Sequence, residues 1–140
     1  MFQRILDRFR KRPAEVEPKA RLEISYTPRH DGDADPGEVV WTWVPYEDDP
    51  KQGKDRPVLV IGTVGKLLAV LPLTSKEHDR DDVVVLGTGK WDSSNRVSYV
   101  KLDRILKVSP AKVRREGATL DKARFDIVIE ALQVYAKRSR

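Results

Sequence analysis

The 140-residue sequence has no cysteine, two histidines and one methionine. Disulfides, thiolate nucleophiles and thiolate-held zinc are therefore excluded, and His30 and His78 alone make a histidine-rich metal site unexpected. No apolar run approaches the roughly 20 residues that a membrane-spanning helix needs. The opening stretch, MFQRILDRFRKRP, interleaves basic and apolar side chains and lacks the unbroken apolar segment of a signal peptide. The expectation is a cytoplasmic protein with no membrane association, no metal and no cofactor.

What is present suits one domain with a real core: 39% of residues are hydrophobic, 35% are charged, and the formal net charge is +5. A basic balance of this kind favours an anionic partner such as nucleic acid. Residues 2–12 carry Phe2, Ile5, Leu6 and Phe9 at helical spacing, and Pro13 stops the pattern. So short a helix is marginal alone, so it either covers an apolar patch or serves as a basic arm. Residues 13–37, with repeated prolines and the run RHDGDADPG, read as a linker, within which RLEISYTP alternates Leu22, Ile24 and Tyr26 as a short edge strand. The chain thus divides into an N-terminal extension, residues 1–35, and a folded domain, residues 36–140.

From Glu38 the pattern is β. EVVWTWVP places Val39, Trp41 and Trp43 on one face, and RPVLVIG, LLAVLPLTS, DDVVVLG and RVSYVKLD are further strands. Short strands with tight connections predict a mainly β fold, a small closed barrel or a sandwich. The last 32 or so residues change period. They predict a short helix from Pro110, a break at Gly117, and a longer helix with Phe125, Val128, Ile129 and Leu132 inward and Asp121 and Thr119 at its start.

The stretch PGEVVWTWVPYEDDPKQGKDRPVLVIG resembles the opening of the MazF/PemK toxins of type II toxin–antitoxin systems. Gly37, Glu38, Val39, Val40 and Trp41 match a strand of the type G-[DE]-[IV]-V-W, and Gly53, Arg56, Pro57, Val58, Leu59 and Val60 match a following G-x-x-RP-x-[LV]-V. Pro72, Leu73, Thr74 and Ser75 match a P-[IL]-T-S strand end, and Ser98, Val100, Asp103 and Ile105 match a later S-x-V-x-x-D-x-I. The four elements stand in the family's order over residues 36–135. The resemblance implies an SH3-like or CcdB-like small barrel with a C-terminal helix, acting as a homodimer. It also implies a metal-independent endoribonuclease (an mRNA interferase) that cleaves single-stranded RNA to 2′,3′-cyclic phosphate and 5′-hydroxyl ends and is neutralised by a small acidic antitoxin protein. The first 35 or so residues are an addition to that pattern, and the variable segment between Thr74 and Ser98 transfers no cleavage sequence.

Such chemistry needs a base for the ribose 2′-hydroxyl, an acid for the leaving 5′-oxygen, and donors for the charge on phosphorus. Arg56, at the mouth of the apolar run DRPVLVIG, suits the last role because a guanidinium holds two phosphate oxygens in one plane. The resemblance points to Thr74 for the active site and to Asp103 for proton transfer, and Ser75, Lys101 and Lys54 are candidate substrate contacts. Trp91, in a loop with Lys90, Asn95 and Arg96, is a candidate to stack on a base. Each has a plainer alternative. Arg56 can pair with Asp55 or the acids at 47–49, and Thr74 can satisfy a nearby backbone group. Lys101 and Asp103 can form a surface pair, Trp91 can fold onto the barrel, and His78 reads as a solvated loop residue. Two further functions compete: a non-catalytic SH3-like module that binds nucleic acid or protein, and a CcdB-like toxin directed at gyrase.

Overall fold

The apolar runs at residues 58–61 and 68–73 form the middle of the molecule. In the computed structural model, which describes residues 20–29, 33–76 and 82–138, they lie on β3 (Gly53–Val64) and β4 (Leu67–Thr74), an antiparallel hairpin. The hairpin turns at Gly65, whose φ of +61° is a conformation that glycine adopts without a steric penalty. Both strands are buried on both faces. Leu59, Ile61, Ala69, Leu71 and Leu73 belong to one apolar cluster, and Val58, Val60, Leu68 and Val70 to another. Two buried faces explain why these strands read as continuous apolar runs and not as alternations.

β2 (Glu38–Pro45) pairs with β3 and is split in the same way: Val39 lies in the first cluster, Val40 and Val44 in the second. The expected single apolar face of Val39, Trp41 and Trp43 is thereby corrected. Burial falls off along it until Trp43 is 51% exposed, while the opposite face is buried too. The main strand path runs β5 (Val83–Gly87), β6 (Ser98–Lys101), β4, β3, β2, β8 (Arg114–Thr119), and every pairing is antiparallel. β7 (Leu106–Val108) pairs separately with β4. With β5 and β8 at opposite ends of the path, the sheet curls into a half-barrel, so the predicted small-barrel type is present in open form among the described residues.

α1 (Lys122–Arg138) lays Phe125, Val128 and Leu132 onto the first cluster. Asp121 caps it directly, its Oδ2 accepting the Arg124 N–H at 3.0 Å. The helix expected from Pro110 shrinks to a single 3-10 turn, Pro110–Lys112, and the residues after it become β8. Local propensity loses there to the free edge of β2, which offers β8 a ladder at Glu38, Val39 and Trp41.

Part of the segment before Glu38 joins the sheet. β1 (Leu22–Ile24) pairs with the far end of β3, beyond the reach of β2. It approaches so closely that a Cβ on Gly62 would stand 2.0 Å from the Glu23 carbonyl oxygen. Tyr26 then packs on Phe125, ring centroids 5.1 Å apart, and donates its hydroxyl to the Leu120 carbonyl at 2.7 Å. The helix predicted over residues 2–12 and His78 lie outside the described residues.

Candidate nucleic-acid cleft and its relatives

Where the apolar part of β3 gives way to Lys54, Asp55 and Arg56, the sheet offers polar side chains level with the end of β4. The β3–β4 ladder pairs Val58 with Pro72. Two residues further in that register, Arg56 comes level with Thr74, and both line one cleft of about 310 Å³. Arg56 Nη1 donates to the Leu73 carbonyl at 3.3 Å, so the guanidinium is fastened to the neighbouring strand. Its Nε is buried and has no hydrogen-bond partner. Burial pulls the Arg56 pKa below its usual range, and the nearby charge of Arg104 adds to this, while Tyr46 and Glu47 oppose it. A guanidinium starts so high that it stays cationic at neutral pH.

Thr74 closes β4 beside Tyr99 of β6. Its Oγ1 accepts the Lys76 N–H at 3.1 Å, the local turn that the sequence allowed for, and the hydroxyl proton stays available to a ligand. Ser75, Lys54 and Lys101 also line the cleft. Among the described residues the lining holds five basic side chains against two acids, Asp55 and Asp92, and each acid is already paired: Asp55 with Arg114 at 3.2 Å, Asp92 with Arg96 at 2.9 Å. The Arg96 hydrogen bond, with the Ser94 N–H, holds the Asp92 carboxyl below the usual carboxylate range. A net-positive concavity with hydroxyls at its edge is complementary in charge to an anion.

A family model for the PemK-like, MazF-like toxin of type II toxin–antitoxin systems matches residues 35–135. The chain belongs to this toxin family. Among solved structures, it is similar to the crystal structure of MazE-MazF (Form-II) from Deinococcus radiodurans, at 22% sequence identity and a TM-score of 0.55, covering 76% of this chain and 98% of that one. No curated protein matches the sequence.

Within this PemK-like toxin, two of the residues singled out by sequence stand elsewhere than expected. Trp91 is corrected from a base-stacking aromatic to a core residue: it is 3% exposed and part of the first apolar cluster. Its indole N–H donates to Ser98 Oγ at 3.0 Å, its carbonyl accepts the Trp41 indole N–H at 3.0 Å, and the Arg124 guanidinium lies 5.5 Å from its ring centre. Every face is occupied, which leaves none for a base. Asp103 does not line the cleft. β6 ends at Lys101 and the chain turns, so two-residue alternation stops before it reaches Asp103, whose Oδ1 is buried without a partner.

The reading by sequence missed Lys76 and Asp92, which line the cleft from connections between strands, and placed Arg96 only beside Trp91 and Ser98 only in a family motif, though both line the cleft as well. Position in a loop hid Lys76 and Asp92, because loop geometry has no periodicity to read. Among the described residues no three His, Cys, Asp or Glu side chains converge as a metal-binding group, and no helix is long and apolar enough to cross a membrane.

Proposed function

We propose that this toxin is a metal-independent endoribonuclease that cleaves single-stranded RNA in the cleft of Arg56 and Thr74. The observation that carries the proposal is the convergence of these two side chains, from adjacent strands, in one net-positive cleft. The Arg56 guanidinium takes the non-bridging oxygens of the scissile phosphate, and Thr74 and Ser75 donate hydroxyls to the same group. The ribose 2′-oxygen attacks phosphorus as the P–O5′ bond breaks. The 2′-proton leaves to a base, the 5′-oxygen gains a proton, and the ends are a 2′,3′-cyclic phosphate and a 5′-hydroxyl. Arg56 and Lys101 stabilise the charge that builds on phosphorus. The step is written without Asp103, which is not among the residues lining the cleft.

The similar Deinococcus structure is of MazE-MazF, and an acidic antitoxin suits the same surface here: its carboxylates would take the phosphate positions and close the site to RNA. Self-association as a homodimer is supported by Ile127 and Val134, seven residues apart on α1 and 55% and 51% exposed, beside a groove lined by Val83, Val84 and Tyr135. The test of the activity is incubation with single-stranded RNA in EDTA, followed by analysis of fragment ends. Cyclic phosphate ends, absent when the RNA is replaced by a fully 2′-deoxy strand, are expected. Binding without cutting, or trapped gyrase–DNA complexes with intact RNA, would overturn it.

A further inference from the structure

Arg56 faces two clefts. Besides the one shared with Thr74, it lines a second, together with Lys101, Arg104, Glu47 and Asp48. Here Glu47 Oε2 stands 3.2 Å from Lys101 Nζ and 3.7 Å from Arg104 Nε. The two cations are largely withdrawn from water, their side chains 16% and 17% exposed, while Glu47 remains 50% exposed. Sequestered positive charges repel one another unless an anion sits among them. Arg56 feels this repulsion, since the Arg104 charge opposes its protonation.

Arg104 is held independently of Glu47, since its Nη2 donates to the Pro45 carbonyl at 2.9 Å. The β6 ladder with β5 fixes the Lys101 backbone, while its ammonium pairs with Glu47. The connection carrying Glu47 is likewise closed by its own backbone, through Tyr46 N–H to Gln52 O and Gln52 N–H to Asp49 O, both at 2.9 Å. The half-exposed Glu47 carboxylate can therefore swing into solvent while the loop keeps its shape, leaving the cation cluster in need of another anion.

We propose that Lys101, Arg104 and Arg56 form a second phosphodiester subsite, next along the strand from the phosphate at Arg56 and Thr74, and that Glu47 fills it in the free chain as an internal stand-in for phosphate. This rests on the reading of the first cleft as an RNA site. A strand entering the second cleft displaces a tethered competitor, so Glu47 weakens RNA binding and rejects anions too short to reach both clefts. The Glu47 carboxylate differs from the other loop acids because it alone contacts both Lys101 and Arg104.

The experiment is fluorescence anisotropy of a labelled, single-stranded 2′-O-methyl RNA, which lacks the free nucleophile, titrated with the full chain at salt from about 50 to about 200 mM. Glu47→Gln tightens binding several-fold, and Asp49→Asn, the same change in net charge on the same loop, gives a smaller gain. Arg104→Ala weakens binding, lowers the slope of log K against log salt by about 0.7, and removes the gain from Glu47→Gln. Should circular dichroism find Arg104→Ala unfolded, Arg104→Gln, which keeps a donor for the Pro45 carbonyl, takes its place. Equal gains from Glu47→Gln and Asp49→Asn would overturn the subsite. So would an Arg104 variant with the wild-type slope while Arg56→Ala fails to bind, and that outcome leaves the RNA reading standing. A wild-type chain that does not bind the strand overturns both.

Discussion

Replacing Trp91 by phenylalanine removes one hydrogen-bond donor and part of one ring from a site where both partners are buried. Trp91 is 3% exposed and Ser98 4%, and the indole N–H···Oγ contact of 3.0 Å joins them. Without that donor the Ser98 hydroxyl is left in the core with one partner fewer, which costs about 1–3 kcal/mol. Trp91→Ala also empties the ring's volume, raising the loss to about 3–5 kcal/mol. That is a large part of the roughly 5–15 kcal/mol that holds a domain together. In urea denaturation, a loss of about 2 kcal/mol lowers the midpoint by about 1 M at a typical slope for a domain of this size. If instead Trp91 stacked on RNA, Trp91→Phe would unfold like the wild type, and only Trp91→Ala would lose about 1–3 kcal/mol of binding. An unchanged urea midpoint in Trp91→Phe, with tenfold weaker RNA binding by a folded Trp91→Ala, would refute the core assignment.

Three further outcomes follow from local geometry. The Asp121 carboxyl is held below its usual range, chiefly by the Arg124 side chain, so its contribution to stability is present above the unfolded-state pKa and is lost as pH falls through the lower folded value. Asp121→Asn keeps a good cap and removes this acid-side dependence, as thermal melts at pH 7 and pH 3 will record. Gly62→Ala drives a Cβ toward the Glu23 carbonyl, so β1 must shift, and hydrogen exchange at Ser25, whose N–H donates to Ile61 O, accelerates at least tenfold for a local cost of about 1.4 kcal/mol or more. Tyr26→Phe deletes the hydroxyl bond to Leu120 O and lowers global stability by about 1 kcal/mol in urea denaturation.

Much of the β framework was legible in the sequence because burial on both faces leaves an unmistakable trace: PVLVIG and LLAVLPLT have few other uses. β8 was not legible. RREGAT has no apolar alternation, and it is a strand only because β2 leaves an edge open. β7 is three residues long, too short for a period. The pairing of Arg56 with Thr74 could be reached through the order of family motifs, which the ladder then expresses as a shared level on β3 and β4. Glu47 and Arg104 could not, since their meeting depends on how one loop closes over the end of β6. Trp91 misled because its neighbours, Gly89, Lys90, Asn95 and Arg96, read as a loop in water. The glycine in fact lets the ring press against the backbone: a Cβ on Gly89 would stand 2.0 Å from the indole.

The central claim is that Arg56 and Thr74 act on one phosphate, and a double-mutant cycle measures this directly. Single-turnover RNA cleavage is timed for the wild type, Arg56→Ala, Thr74→Ala and the double variant. Arg56→Ala is predicted to slow cleavage by about 10²- to 10³-fold, and the double variant to lose much less than the product of the two single losses, since the groups serve the same transition state. Single variants that cleave at the wild-type rate, or losses that multiply in full, would contradict it.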